Sequence, residues 1–446
     1  MPRRRPKTEP LRSATGVELT RAVAFRFALD PDRELEGQLW RHAGAARYAW
    51  NKGLGWVKWA LTCREWEREL GADPWTEVPW SAFSLINAFN AWKHGKARAP
   101  DDGSNGLAWK DEVCQDVFEC AMVDLGQALA SWAESRSGKR KGRPVGFPRH
   151  KAKKRATPSF RLRNRARPGE TQAIRIVDQD HVKVPGLGIV RHHGSNRQLR
   201  RMVDAGRAHV YSASFRYERG RWWLVLSGVA AAFHPARTSR KQRHPKPAGI
   251  DAGIRSLAVC ADDTGQPVKT WEGVNALEGA LRNLRRANRR LARTKPGSAG
   301  RCHAARIVGR LHGRVADLRR DALHQLTYWA ATHLVDVTVE DLNVAGLLAN
   351  RRLARRLSDA ALAELRRQLT YKARWYGTAL HEADRWYPSS KTCSACGHIH
   401  RDLTLGDTTW TCPNPNCRAL HDRDHNAAVN LARWPRQHPP PARMAA

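Results

Sequence analysis

Acidic residues are scarce in this sequence: 42 Asp and Glu face 78 Lys and Arg, leaving a net charge of +36. A field of that strength opposes compaction unless a polyanion neutralises it, so DNA or RNA is the expected partner. An anionic membrane is the other polyanion available. The chain, however, has no uninterrupted apolar run long enough to span a bilayer, and no apolar segment follows the basic start to act as a secretory signal. No membrane partner is therefore expected, and the cytoplasm is the expected location. Residues 1–17 read as a basic disordered tail. A fixed-period repeat is missing too, as is any low-complexity tract beyond the basic linkers and the Pro-rich end. The nine cysteines exclude a simple disulfide framework. Cys63, Cys114, Cys120, Cys260 and Cys302 are scattered, whereas Cys393, Cys396, Cys412 and Cys417 share one short stretch. That pattern fits a reducing compartment and a metal site.

At 446 residues the chain can hold several domains. Arg21–Leu29 places an apolar residue at every second position and predicts a strand. A helical region follows, roughly Asp32–Ser135, with more than half of the 18 tryptophans, among them Trp40, Trp50, Trp56, Trp59, Trp66 and Trp92. Core packing is the plain reading of these rings, and stacking platforms for bases the sharper one. Ser137–Arg155 is a basic linker that is either a solvated face or a grip on phosphates. Alternation then predicts strands at Ala173–Val177, His181–Val184, His209–Arg216 and Trp222–Ser227. With the first strand lying ahead of the helices, this predicts a small β-barrel or sandwich, residues 18–30 and 157–232, interrupted by a helical insertion, residues 31–156. After a polar linker, residues 233–246, strands and helices alternate in an α/β pattern.

Three acids stand out in that second half. Asp251 sits on the first strand of a tight hairpin, Glu340 closes the β-branched run Leu334–Glu340, and Asp424 lies near the start of a helix. Carboxylates converging at strand ends repel one another and raise their own pKa values. Two Mg²⁺ ions would remove the conflict and could act on a phosphodiester. Spacing alone leaves them equally readable as ordinary surface acids. The cysteine pattern is more specific. Cys393-Ser-Ala-Cys396-Gly and Cys412-Pro-Asn-Pro-Asn-Cys417 have the spacing of a closed tetrahedral Zn²⁺ site, although His398, His400 or His421 lies near enough to replace one cysteine. A cytidine-deaminase site needs an H-x-E that His381-Glu382 does not supply.

Taken in order, Gly249-Ile-Asp-Ala-Gly-Ile254, Val339-Glu-Asp-Leu-Asn-Val344, Leu369-Thr-Tyr-Lys-Ala373, the run from Tyr387 to Gly397, and His421-Asp-Arg-Asp-His-Asn-Ala-Ala428 resemble TnpB proteins. Those are transposon-encoded RNA-guided endonucleases, and compact type V CRISPR effectors share the motifs. The resemblance is dense from Pro247 to Leu431. It is thinner in the first half, at Arg47-Tyr48-Ala-Trp-Asn51 and Gly146-Phe-Pro-Arg-His-Lys151.

The resemblance implies a RuvC-like, RNase H-type nuclease, residues 247–390 and 419–436, with a zinc ribbon at 391–418 and a tail at 437–446. It implies that Asp251, Glu340 and Asp424 hold two Mg²⁺ and that Arg423 stabilises charge beside the scissile phosphate. Asp341 and Asp422 take supporting positions, and one structural Zn²⁺ sits on the four cysteines. It further implies a β-barrel wedge domain, a helical recognition lobe, a guide RNA and a double-stranded DNA target. Tyr48, Asn51, Arg149, Lys151, Lys153 and Lys154 are the nucleic-acid candidates, and the basic stretches Arg282–Arg293 and Arg351–Arg356 are candidates to line the channel. One copy per RNA is preferred over two. The insertion Leu61–Trp109 is longer than in a minimal TnpB, which favours a type V effector over a transposon protein. A guided DNA-binding protein that does not cut, and a strand transferase, are the rivals.

Overall fold

The computed structural model describes residues 20–165, 171–231, 244–253, 255–273, 275–342, 361–404 and 406–438, in two compact units divided after Ala231. The expected tail 1–17, Arg351–Arg356, and most of the stretches 233–246 and 437–446 lie outside the described residues. The architecture is mixed α/β.

The first unit is built on an antiparallel sheet of seven strands. These are β1 (Thr20–Leu29), β2 (Ser159–Arg163), β3 (Arg175–Ile176), β4 (His181–Val184), β5 (Gly188–His193), β6 (Ala208–Glu218) and β7 (Arg221–Ala231), in the order β2-β6-β7-β1-β5-β4-β3. β1 pairs along its length with β7, from Thr20 opposite Ala231 to Ala28 opposite Trp223. At the two sheet edges, Asn164 stands in for a strand: its amide donates to Ile174 O at 3.1 Å and its Oδ1 accepts from Ile174 N–H at 2.8 Å. Alternation missed β2 and β5, which are short and rich in basic residues.

Helices α1 (Arg33–Glu69), α2 (Ala82–Lys93) and α3 (Gln115–Arg136) separate β1 from β2 in the chain. Asp32 caps α1 through Leu35 N–H at 2.8 Å, and Ser81 and Ser84 form a capping box on α2. A further short helix, α4 (Arg197–Asp204), precedes β6. The tryptophans divide by position. Trp50, Trp56 and Trp92 are buried, and each indole N–H finds a carbonyl or carboxylate: Arg149 O at 3.1 Å, Asp101 Oδ1 at 3.0 Å and Ser104 O at 3.1 Å. These rings thus bind the irregular segments on either side of the helices as well as filling the core. Trp66 and Trp75 are largely exposed. An ionic cluster, Asp116 and Glu119 with Arg163 and Arg165, fastens α3 to β2.

The second unit carries a five-stranded mixed sheet: β8 (Ala248–Asp251), β9 (Ser256–Asp262), β10 (Pro267–Glu272), β11 (Asp336–Glu340) and β12 (Ala379–Ala383), ordered β10-β9-β8-β11-β12. β8, β11 and β12 run parallel; β9 runs antiparallel to both of its neighbours, β8 and β10. Between strands come α5 (Ala276–Ala292), α6 (Ala299–His333) and α7 (Leu362–Tyr376). Leu323, Leu326 and Ala330 of α6 and Leu365 and Leu369 of α7 cover one sheet face. The expected strand Leu334–Glu340 begins two residues later, at Asp336, because Leu334 N–H still bonds Ala330 O and ends α6. The hairpin β13 (Thr409–Thr411) and β14 (Leu420–Asp422) leads into α8 (Arg423–Gln437), which covers the opposite face. Gly249 makes that contact possible: a Cβ there would lie 2.0 Å from Ala428 O.

Candidate active site and metal centre

Asp251 and Glu340 are the last residues of neighbouring parallel strands, β8 and β11. Val339 is in register with Ile250, so the next position on each strand is the acid. The carboxyl ends of parallel strands, where a sheet changes direction, are where open α/β sheets place their ligands; here β8 is the strand with a parallel neighbour on one side and an antiparallel one on the other. Asp424 comes in from α8, in the first turn, where the helix dipole favours an anion. The close seat of α8 on Gly249 brings that turn to the strand ends.

Burial, then the negative charges of Glu340 and Asp424, push the Asp251 carboxyl well above the usual range, against the opposing pull of Arg423. Burial also raises Glu340, while a hydrogen bond from Ser389 and the charge of Arg423 work the other way. A largely apolar cavity of about 250 Å³ is lined by Glu340 together with Ile250, Val339, Leu362, Leu365 and Arg366. The three carboxylates do not all close to within 4.8 Å of one another, as a single shared ion would require.

Around the acids lie several basic groups. Arg423 donates from its guanidinium to Thr404 O at 2.8 Å. Arg255, in the turn after β8, reaches Asp422 at 2.7 Å and Asp424 at 3.4 Å. Burial works to raise Asp422, but His425 N–H and Arg255 outweigh it and hold its carboxyl below the usual range. As N-cap of α8, Asp422 accepts His425 N–H at 3.0 Å. Asp341 is paired with Arg366 and Arg385. Sequence reasoning assigned nothing to Arg255 or Ser389.

The sulfurs of Cys393, Cys396, Cys412 and Cys417 lie within 4.8 Å of one another and none is in a disulfide. Backbone N–H groups face them: the His398 N–H draws Cys396 down to about 7, whereas burial pushes Cys412 up to about 12 despite the Asn414 N–H. Gly397, at φ +77°, supplies the left-handed turn that lets the first knuckle fold back. The second knuckle places Arg418 in the same region, at φ 51°. Leu403 and Trp410 are the only large buried side chains packed here among the described residues. A core that small needs an ion, and a four-thiol donor set fits structural zinc. Of the three histidines considered, His421 comes to 3.0 Å of Cys393 Sγ and stands outside the four-sulfur group.

Comparison with known proteins bears on this geometry. Residues 231–351 match the family described as a probable transposase of the IS605 OrfB type, and residues 363–431 match the Cas12f1-like TNB domain. A protein of Mycobacterium tuberculosis (strain ATCC 25618 / H37Rv) named for RNA-guided DNA endonuclease activity is 34% identical over 418 residues, covering 92% of this chain and 86% of that protein. A protein of Streptomyces pristinaespiralis with the same name is 31% identical, covering 92% and 88%. The chain belongs to the TnpB-like family. Among solved structures, a Cas12f1–sgRNA–target DNA complex aligns at TM-score 0.44 and 12% identity, over 93% of this chain and 99% of that one. A third family match, to a helix-turn-helix domain, spans residues 21–65. In this TnpB-like chain those residues form β1 and most of the continuous helix α1, so no helix-turn-helix is built there.

The six nucleic-acid candidates of the TnpB-like chain have unequal surroundings, all within the first unit. Arg149, Lys153 and Lys154 are exposed. Asn51 is engaged in the fold: its Oδ1 accepts Lys151 N–H at 2.7 Å and its amide donates to Lys151 O at 3.1 Å. Lys151 lays its ammonium 3.6 Å from the centre of the Trp50 ring, and burial lowers its pKa. Tyr48 is half-exposed, with Trp109 edge-on at 5.3 Å. In the second unit, Arg282, Arg285, Arg286, Arg289 and Arg290 are exposed on α5.

Proposed function

We propose that the chain is an RNA-guided DNA endonuclease whose cleavage site is the Asp251–Glu340–Asp424 cluster. The observation that carries this reading is that two buried strand-end carboxylates, Asp251 and Glu340, are both raised above their ordinary range, and that Asp424 on α8 adds its charge to the shift of Asp251. Asp251, Glu340 and Asp424 would hold two Mg²⁺, which would supply water activation and stabilise the leaving oxygen of a phosphodiester. The chain's own groups do the rest. Arg423 and the N-terminus of α8 offer positive charge to a phosphate at the same place. Arg255 compensates Asp422 and Asp424. The fold is read as RuvC-like, with the four cysteines holding one Zn²⁺ in a ribbon that borders the site. The first unit would be a β-barrel wedge carrying a helical recognition lobe. Thiolate ligands and free cysteines suit a reducing cytoplasm.

Net charge supports a guide RNA and a DNA target: the protein grips backbones and leaves sequence to base pairing. The exposed groups Arg149, Lys153 and Lys154 and the α5 arginines are proposed contacts, with Tyr48 half-available and one copy per RNA preferred. A CRISPR RNA is the preferred guide, supported by the Cas12f1-like match of residues 363–431, and a transposon-derived guide is the alternative, supported by the match of residues 231–351 to the IS605 family; sequencing the RNA that co-purifies tells the two apart.

The test is incubation of the purified ribonucleoprotein with a randomised-flank target library and Mg²⁺. Cleavage by the wild type, with target bound but intact for Asp251→Ala, is the expected result. Tight binding without cutting by the wild type would instead make the chain a guided binder.

A further inference from the structure

The run from Tyr387 to Ser394 joins β12 to the first zinc knuckle, and α8 holds it. Asn426 and Asn430, both buried, stand one turn apart on that helix and so share a face. The Asn430 amide donates to Ser389 O and to Thr392 O, each at 2.7 Å. The Asn426 amide donates to Thr392 O at 2.8 Å and more distantly to Ser389 O at 3.4 Å, and its Oδ1 accepts Ser394 N–H at 2.9 Å. Arg433, a turn further on, donates to Ser394 O. Three side chains of one helix thus hold a single strap by its backbone.

What the strap presents is Ser389. Only 2% exposed, it donates its hydroxyl to Glu340 Oε1. The helix that carries Asp424 therefore also fixes, through two asparagines and one serine, the carboxylate of a strand it does not belong to. A carboxylate accepts at both oxygens; with Oε1 taken, Oε2 is held in one direction. Outer donors of this kind orient metal ligands, and their loss typically costs about 10–100-fold in metal affinity. The buried hydroxyl needs a partner and takes Glu340, whereas the strap itself is tied down separately, through its carbonyls.

We propose that Ser389 is a positioning residue for Glu340, aimed by an Asn426–Asn430 clamp on the strap that enters the ribbon at Cys393. The proposal rests on the reading of Glu340 as a Mg²⁺ ligand. It also makes the ribbon more than an appendage, because the strap that continues into Cys393 is the one that sets the carboxylate.

The experiment uses the full chain with its guide RNA and measures two quantities. One is the Mg²⁺ concentration for half-maximal cleavage; the other is Mn²⁺ binding by calorimetry in the absence of target. Ser389→Ala is expected to raise the first, and weaken the second, by about 10–100-fold, with zinc content and melting temperature unchanged. Asn430→Ala should act in the same direction, and the double variant should be no worse than Ser389→Ala, since both remove one path. Wild-type metal dependence in Ser389→Ala would overturn the proposal, as would effects of the two changes that add. Asp251→Asn, run alongside, separates this from the parent reading. If Asp251→Asn is inactive and Ser389→Ala is unaffected, only the positioning role falls; if Asp251→Asn cuts normally, the acid cluster is not the site and both fall.

Discussion

Glu340 and Asp251 illustrate how a side chain's surroundings, rather than its identity, set its chemistry. Both carboxyls are held above their ordinary range, chiefly by burial. Protons therefore compete with cations for these groups more strongly than at a solvated acid. Raised carboxyl values mean that the proton-bearing form persists to higher pH, so the apparent Mg²⁺ affinity should rise with pH and fall as pH drops through the raised values. Titrating metal-dependent cleavage at several pH values checks this; an affinity independent of pH would contradict the repulsion argument. Asn51 is the opposite case. The motif suggested a nucleic-acid contact, yet its side chain closes a two-bond clasp on the Lys151 backbone. Asn51→Ala should cost about 1–3 kcal/mol of stability by leaving backbone groups unpaired, read as a shift in the urea midpoint. Lys153→Ala with Lys154→Ala should leave that midpoint in place. The same pair of changes should lower the slope of log guide affinity against log salt by about one for each phosphate no longer neutralised.

At the scale of elements, the seating of α8 on β8 decides whether a site exists. It depends on the bare Cα of Gly249, whose added methyl would collide with Ala428 O. Gly249→Ala is expected to destabilise the second unit by about 1–3 kcal/mol and to weaken metal binding more than Asn51→Ala does, because it moves Asp424 as well. Cys393→Ser with Cys396→Ser should release zinc and expose the 391–418 region to proteolysis; unchanged zinc content would count against the ribbon. These elements also mark the limits of reading a sequence. The acids and cysteines were legible because motif and spacing are local. The convergence of the acids was not readable from spacing and came only as what the resemblance implied, since it depends on β11 adding beside β8 from a distant part of the chain. Ser389 lies inside the Tyr387–Gly397 motif and still went unassigned. The available signal was the Asn426–Asn430 spacing, one helical turn, but its partner is a backbone carbonyl and carbonyls carry no sequence mark. The strands β2 and β5 and the helix α4 were missed for another reason. Arg161, Arg191 and Arg200 dilute their apolar pattern, so tertiary pairing decides their form.

For the whole molecule, charge is the organising fact. A chain at +36 gains most from a partner that brings phosphates, and each phosphate neutralised adds to the salt dependence of binding. Guide affinity should fall steeply between low and physiological salt; a flat response would assign the excess charge another purpose. The most direct check of the proposed chemistry, however, is a count of ions at the acid cluster. Mn²⁺ bound to the guide–target complex can be counted by electron paramagnetic resonance in the wild type and in Asp251→Asn, Glu340→Gln and Asp424→Asn. Two coupled ions are expected in the wild type, with that coupled pair gone in each single variant. An unchanged count in any of the three would contradict the claim that these carboxylates jointly hold the metal.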